Sequence, residues 1–291
     1  MLQNIKKQML KVVLFLLAVI AIIVWAEVAR SPEADTVNGL EIYFFDVGQG
    51  DVSLIQKDDY QILIDGGPSD AILAKLGDAM SLLDRKIEII ILSHPHADHL
   101  VGVNQVLERY DVGKIYSSGV LYTSNEYVEF LEKINSKDIE LIVPKIGDKT
   151  SYENIEVDFL WPGEKYVGKE LENLNNSSVV IRACYLKNCS IFLGDLELDG
   201  QGMMFAELAE KNINSEIIKI AHHGSSNGTD QRLIDIVMPN YAVILVGLDN
   251  KFDHPHDVTL DLLSTNNIET LRSDEGDIKF IISELGINQV K

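Results

Sequence analysis

The chain of 291 residues is 46% hydrophobic and 24% charged, which excludes a disordered protein and fits one large or two small globular domains. Its formal net charge of −20 argues against passive binding along a nucleic-acid backbone, because such binding takes its affinity from Lys and Arg. The charge does not exclude a phosphodiester substrate, since bound divalent cations can be the largest local charges in a site.

Residues 1–30 are predicted to form one N-terminal hydrophobic helix. Three lysines precede an unbroken apolar run at residues 12–26. The favoured interpretation is an uncleaved single-pass anchor in the cell membrane, with the lysines in the cytoplasm and the rest of the chain on the outer side. The alternative is a signal peptide cleaved near Ala26, which would give a secreted protein. A polar linker is expected at 31–39, followed by a single domain at 40–291.

Strands and helices alternate through this domain. The first half has predicted strands at 40–45, 52–56, 61–64, 87–92, 114–117 and 139–143, and predicted helices at 69–83, 99–110 and 124–135. The second half has predicted strands at 155–160, 178–186, 190–193, 216–220, 241–246, 268–271 and 278–282, and helices at 199–211, 231–237 and 258–264. Two such halves packed sheet to sheet predict an α/β protein with a four-layer αβ/βα sandwich.

The two cysteines, Cys184 and Cys189, flank a predicted turn at Lys187 and Asn188. With a two-residue turn at that place they would not lie directly opposite each other. We therefore expect two free, partly buried thiols, with a hairpin disulfide as the alternative in an oxidising compartment.

All seven histidines fall into three short clusters that follow predicted strands. The clusters are His94, His96 and His99; His222 and His223; and His254 and His256. Imidazole is the commonest metal ligand among side chains. The pattern therefore predicts one polynuclear metal site in preference to histidines scattered by chance.

The spacing inside Ser-His-Pro-His-Ala-Asp-His (93–99) suggests how two ions are held. His94 and His96 are alternate residues of an extended segment, so they can bind one ion together. Asp98 and His99 begin a helix and face a second position. Asp195, presented after a glycine at the end of a strand, suits a carboxylate that bridges two ions. Two metals about 3.5–4 Å apart are usual in hydrolytic sites.

Seven motifs occur in the order seen in metallo-β-lactamase-fold proteins, at 45–51, 63–67, 93–99, 175–178, 194–197, 221–225 and 254–255. Across residues 40–285 the chain most resembles the C-terminal hydrolase domain of ComEC-type competence proteins. The resemblance implies the αβ/βα fold, two divalent metal ions (Zn or Mn) and phosphodiester hydrolysis, with single-stranded DNA among the expected substrates.

Carried over onto this sequence, the resemblance assigns His94 and His96 to the first metal and Asp98 and His99 to the second, with Asp195 as the bridge. Either His222 or His254 would complete the second metal site, and His222 is favoured. The remaining expected site residues are Asp98, His223 and His254 for catalysis, and Asp51, Asp65, Asn176 and Ser178 behind the ligands or at the substrate.

Two features depart from the family pattern. No histidine lies between His99 and His222, which leaves the first metal with few protein ligands. ComEC proteins also carry a polytopic channel, whereas this sequence has one hydrophobic segment, so a role as the DNA-uptake pore itself is not expected.

Three functions are consistent with these residues. The favoured one is a phosphodiesterase or nuclease that uses a hydroxide bridging two metals. The second is a hydrolase of the same fold acting on a phosphorylcholine, lactone or thioester, which the acidic composition favours. The third is a non-catalytic, membrane-tethered metal-binding module, which is disfavoured because the set of ligands is complete.

Overall fold

The computed structural model describes residues 2–30, 39–209 and 211–290. The chain divides into two compact units, Met1–Gly39 and Leu40–Lys291, and the first contains helix α1 (Leu2–Arg30). Within the described residues, no helix combines the length and the apolar character needed to cross a bilayer, so the predicted membrane-spanning anchor is not confirmed. The predicted linker lies outside the described residues except for Gly39.

Fifteen strands are described in the second unit. In chain order they are β1 (Leu40–Phe44), β2 (Ser53–Lys57), β3 (Tyr60–Ile64), β4 (Lys86–Ile91), β5 (Asp111–Tyr116), β6 (Glu140–Ile142), β7 (Lys149–Tyr152), β8 (Ile155–Trp161), β9 (Val180–Tyr185), β10 (Asn188–Phe192), β11 (Ile217–Lys219), β12 (Tyr241–Ile244), β13 (Glu269–Arg272), β14 (Ile278–Ser283) and β15 (Gly286–Val290).

These strands form two sheets. The eight-stranded sheet has the order β15-β14-β1-β2-β3-β4-β5-β6, and the seven-stranded sheet has the order β13-β12-β11-β10-β9-β8-β7. In each sheet one half is antiparallel and the other is parallel: β3 to β6 run parallel in the first sheet, and β10 to β13 run parallel in the second. The loops that carry the histidine and aspartate motifs follow strands of the parallel halves.

Six helices cover the outer faces of the sheets, and they confirm the predicted four-layer arrangement. They are α2 (Ala71–Ala79), α3 (Ala97–Arg109), α4 (Asn125–Ser136), α5 (Leu198–Leu208), α6 (Gln231–Val237) and α7 (Asp257–Thr265). The first three pack on the eight-stranded sheet and the last three on the seven-stranded sheet. A third apolar cluster, which includes Phe44 and Phe159, lies between the two sheets.

Strand β4 illustrates why the elements form where they do. Its sequence ends in the apolar run Ile89–Ile91, and all three side chains are fully buried. A parallel strand with partners on both sides and layers on both faces requires such an uninterrupted apolar run, in place of alternation. The chain leaves this strand directly into the histidine motif.

Two local expectations differ from the structure. Cys184 and Cys189 form a disulfide, and they are directly paired across β9 and β10. The prediction of free thiols was wrong because the turn lies at Leu186 and Lys187, one residue earlier than expected. The short strands β7 and β15 were not predicted; both are edge strands, with few buried side chains to reveal them.

Candidate metal centre

The histidine and aspartate motifs meet at one edge of the sandwich. His94 and His96 follow β4, Asp195 follows β10, and His222 and His223 follow β11. These strands belong to the parallel halves of the two sheets, and the loops at their carboxyl ends come together there. Side chains about 100 residues apart in sequence therefore share one site, as ligand sites in open α/β sheets usually do.

The first ligand group consists of His94, His96 and Asp195. His94 Nε2 lies 2.9 Å from His96 Nδ1 and 4.0 Å from Asp195 Oδ2. Burial lowers the pKa of both imidazoles, and that of His94 falls well below its usual value. Both rings are therefore neutral at pH 7, which is the form that binds metal ions.

The second ligand group consists of Asp98, His99, Asp195 and His223, whose ligand atoms all lie within 4.8 Å of one another. His223 Nε2 lies 3.2 Å from Asp98 Oδ2 and 3.4 Å from Asp195 Oδ2. His99 Nε2 lies 3.3 Å from the same Asp195 oxygen. Asp195 Oδ2 thus lies near imidazole nitrogens of both groups.

Divalent cations fit this donor set. His99 Nε2 is buried and has no hydrogen-bond partner among the described residues, and the same is true of Asp195 Oδ1. A buried polar atom without a partner is costly, and an ion between the imidazole and carboxylate groups would satisfy it. Mixed imidazole and carboxylate ligands are suited to Zn and to other first-row divalent ions.

The second group is strongly polarised by its carboxylates. Burial by itself lowers the pKa of His99, but Asp195, Asp65 and Asp98 outweigh it, and the pKa lies well above its usual value. Burial by itself also lowers the pKa of His223, but Asp195 and Asp51 outweigh this effect and raise the pKa well above its usual value. These carboxylates stabilise positive charge at two imidazoles, and the same field would stabilise a metal cation.

Asp65 and Asp51 lie behind the ligands. Asp65 Oδ2 is 2.8 Å from His99 Nδ1 and accepts a hydrogen bond from Ser93 Oγ at 2.7 Å. Asp51 Oδ1 is 3.2 Å from His223 Nδ1. Asp65 thus fixes the orientation of the His99 ring, whereas the His223 ring is oriented by the hydrogen bond between its Nδ1 and the Leu245 carbonyl at 2.8 Å.

His222 lies at a more exposed edge of the site. It is more exposed than His223, and its Nε2 lies 4.0 Å from Asp195 Oδ2, outside the group of four close ligand atoms. Its Nδ1 lies 3.4 Å from Glu197 Oε1. The ring centroid of His254 lies 5.5 Å from that of His222. Burial, followed by the charges of His222 and His223, lowers the pKa of His254 to about 4.

The two expected residues of the Asn-Asn-Ser-Ser motif are separated by the fold. Ser178 Oγ accepts a hydrogen bond from the backbone N–H of Asp195 and lies 3.4 Å from His94 Nδ1, so it contacts both ligands. Asn176 instead points toward α5, where its Oδ1 lies near Gly200. Its neighbour Asn175 is the residue at the site, because its amide donates to Glu197 Oε1 at 2.9 Å.

Sequence reasoning missed Lys219 and Glu197. Lys219 is buried at the end of β11, where its Nζ contacts Asp51, donates to the Gly194 carbonyl at 2.9 Å and lies 3.7 Å from Asp195 Oδ1. A lysine inside the apolar run Ile217–Ala221 is unusual, and that pattern was available in the sequence. Glu197 ends the motif at 194–197, but its partner Asn173 lies 24 residues earlier, so this contact was not predicted.

The chain is similar in sequence to several known proteins. The profile of the metallo-beta-lactamase superfamily matches residues 45–247. ComE operon protein 3 of Bacillus subtilis (strain 168) is 25% identical over 191 residues, which are 66% of this chain and 24% of that protein. Competence protein ComA of Neisseria gonorrhoeae is 24% identical over 262 residues, 89% of this chain and 35% of that protein. The chain thus spans about a quarter to a third of the length of these relatives.

Among solved structures, the metallo-beta-lactamase fold protein YhfI from Bacillus subtilis has the same fold. It superposes with a TM-score of 0.57 at 14% sequence identity and covers 82% of this chain and 99% of that protein.

Proposed function

Because the chain belongs to the metallo-beta-lactamase superfamily, we propose that it is a metal-dependent phosphodiesterase that acts on nucleic acid, with single-stranded DNA as its substrate. The observation that carries the proposal is the position of Asp195 Oδ2, which faces His94 on one side and His99 and His223 on the other. A carboxylate shared between two ligand groups is the arrangement expected of a two-ion hydrolytic site.

In this proposal His94, His96 and Asp195 would hold the first ion, Zn or Mn. Asp98, His99, Asp195 and His223 would hold the second, so His223 would take the ligand role that the sequence assigned to His222. When bound, the ions supply Lewis-acid chemistry that polarises a phosphoryl oxygen and activates water.

Side chains of the protein then orient the attacking water and protonate the leaving oxygen. Asp98 is positioned by the first turn of α3, and in this proposal its second oxygen accepts a hydrogen bond from the attacking water. His222, with Nδ1 beside Glu197 and its ring toward solvent, is the proton donor to the leaving oxygen. His254 lies against the His222 ring, on the substrate side.

The choice of a nucleic-acid substrate is supported by a relative named as a competence protein, whose alignment covers 89% of this chain at 24% identity. The net charge of −20 favours the alternative, a small ester such as a phosphorylcholine, a lactone or a thioester. A direct substrate comparison therefore decides between the two.

The test uses purified full-length chain, its metal content measured, with added Mn or Zn. We expect hydrolysis of bis-p-nitrophenyl phosphate and of single-stranded DNA, and loss of both activities in His96→Ala and Asp98→Ala. Asp257→Ala is the matched control, because Asp257 occupies the first turn of α7 as Asp98 occupies that of α3, but is exposed. Retained turnover in Asp98→Ala, or turnover of the small esters alone, would contradict the proposal.

We propose separately that α1 attaches the chain to a membrane. Large apolar side chains from Met9 to Ile22 are exposed, including Phe15 at 68%. Moving such surface out of water is favourable. The full chain is expected to float with liposomes, whereas a chain that begins at Gly39 should stay in the aqueous fraction; equal behaviour of the two would contradict attachment through α1.

A further inference from the structure

A cleft of about 520 Å³ opens beside the metal centre, and nothing described so far uses it. Asp98 forms part of its wall, together with Pro68, Gln49, Lys251 and Phe252. Its volume is within the range of small-molecule sites, about 300–1,000 Å³. A substrate bound at the ligand groups would therefore extend one of its substituents into this cleft.

Phe252 is held at the cleft by its own loop. The ring is 48% exposed and is stacked on His254, with ring centroids 5.7 Å apart. Asn250 braces the loop from inside: its Nδ2 donates to the carbonyls of Gly247 and His254, and its Oδ1 accepts from the backbone N–H groups of Phe252 and His254. An exposed aromatic ring on a braced loop is a preorganised stacking surface.

Gln49 offers a hydrogen-bond donor in the same cleft. Its Oε1 accepts from the Gly247 backbone N–H at 3.0 Å, which fixes the amide. Its Nε2 is buried and has no partner among the described residues. Leaving a buried donor unpaired costs about 1–3 kcal/mol, so a ligand acceptor at this place would be favourable.

Lys251 adds a cation to the cleft wall. Its Nζ lies 4.9 Å from the centroid of the Phe252 ring. In a chain with a net charge of −20, this places a positive charge beside the Phe252 ring, in the wall that Gln49 also lines. A flat ring, a donor and a cation are together the contacts that a nucleotide needs.

We propose that the cleft is a nucleotide subsite, in which the base next to the cleaved phosphodiester stacks on Phe252, accepts a hydrogen bond from Gln49 and places a neighbouring phosphate near Lys251. The inference rests on the proposed function and adds how the substrate is recognised. Other occupants fit less well: the Lys251 ammonium repels a choline cation, and a plain acyl chain leaves the Gln49 donor unpaired.

The test compares two single-stranded oligonucleotides of equal length, one with thymine bases and one with abasic residues throughout. Stacking of a base on an aromatic side chain is worth about 1–3 kcal/mol, so KM should be at least about fivefold lower for the thymine oligonucleotide, with a smaller change in kcat. In Phe252→Ala the two KM values should converge. Phe252→Trp should preserve the difference.

Leu248→Ala is the matched control, because Leu248 is a large apolar residue of the same loop, 74% exposed, that does not line the cleft. Thermal unfolding of each variant is measured alongside. Equal KM values for the two oligonucleotides in the unmodified chain, or a difference that survives in Phe252→Ala, would overturn the subsite while leaving phosphodiester hydrolysis intact.

A binding measurement separates this failure from failure of the proposed function. The same two oligonucleotides are titrated against His96→Ala by fluorescence anisotropy, with and without the additional Phe252→Ala change. Preferential binding of the thymine oligonucleotide that depends on Phe252 supports the subsite even if no turnover is found. Equal binding of both oligonucleotides overturns it.

Discussion

His222 and His223 are adjacent in sequence but face different partners. Both have positive φ, 50° and 53°, a conformation that is uncommon outside glycine. The backbone therefore turns sharply between them, which sends His223 to Asp98 and Asp195 and His222 to Glu197. This division suggests that the two rings do different chemistry.

We expect His223→Ala to lose one bound ion per chain, because it removes one of four ligand atoms from the second group. The loss of affinity should exceed the roughly 10–100-fold that is typical when only a residue behind a ligand is changed. His222→Ala should retain both ions and lose turnover. Metal content after dialysis and activity are measured for both variants. Retention of both ions by His223→Ala would refute the assignment of His223 as a metal ligand.

Lys219 is the buried cation behind the centre. Removing it takes away the buried cation in direct contact with Asp51, and breaking a buried pair in this way costs about 3–5 kcal/mol. We therefore expect Lys219→Met to lower the free energy of unfolding in urea by an amount of that order.

Lys86→Met is the control for this change, since Lys86 pairs with Glu88 and its side chain is 61% exposed. Exposed pairs contribute about 0–1 kcal/mol, so this variant should be close to the unmodified chain. Equal destabilisation by the two substitutions would show that Lys219 has no special role.

At the scale of elements, the position of the ligands depends on a close approach between α3 and the loop after β3. A Cβ on Gly102 would lie 1.8 Å from the Gly66 carbonyl oxygen, and a Cβ on Gly66 would lie 2.2 Å from the Val103 backbone nitrogen. The two glycines let the helix that begins with Asp98 and His99 sit against the loop that begins with Asp65. The carboxylate can then reach the His99 ring.

Gly102→Ala should push these two elements apart. Overpacking typically costs about 1–3 kcal/mol, and here the clash is with backbone, so we expect at least the upper part of that range together with weaker metal binding. Gly202→Ala in α5 is the control, because nothing lies within 4 Å of its Cβ position and the change raises helix propensity by up to about 1 kcal/mol. Unchanged stability in Gly102→Ala, by thermal unfolding, would contradict this explanation.

At the scale of the whole molecule, residues 40–290 contain both sheets, their covering helices and every residue of the candidate site. Three apolar clusters lie within this unit, one between the sheets and one under each helical layer. It therefore has the core of an independently folding domain.

A chain that begins at Gly39 is accordingly expected to fold, to unfold at a temperature within about 2 °C of the full chain and to keep its metal content. A change of 1 kcal/mol in a domain of this size shifts the midpoint by about 2–4 °C, so a larger shift is readily measured. Calorimetry of both chains decides the point, and loss of cooperative unfolding in the shorter one would show that the first unit is required.

The sequence by itself determined the fold and most of the residues that meet at the candidate site. Continuous apolar runs such as Ile89–Ile91 mark buried parallel strands, and short polar motifs follow them, so the candidate ligands were predictable from local pattern together with the family resemblance. Edge strands such as β7 bury few side chains and left no such pattern.

Only the tertiary structure decided which neighbour of a pair faces the centre. His223 lies closer to Asp195 than His222 does, and Asn175 contacts Glu197 whereas Asn176 points toward α5; both follow from backbone angles and from contacts with residues more than 20 positions away. The same holds for Lys219, whose charge is tolerated in the core because Asp51 and the Gly194 carbonyl surround it. Side-chain direction in loops depends on long-range packing, which periodicity in the sequence does not encode.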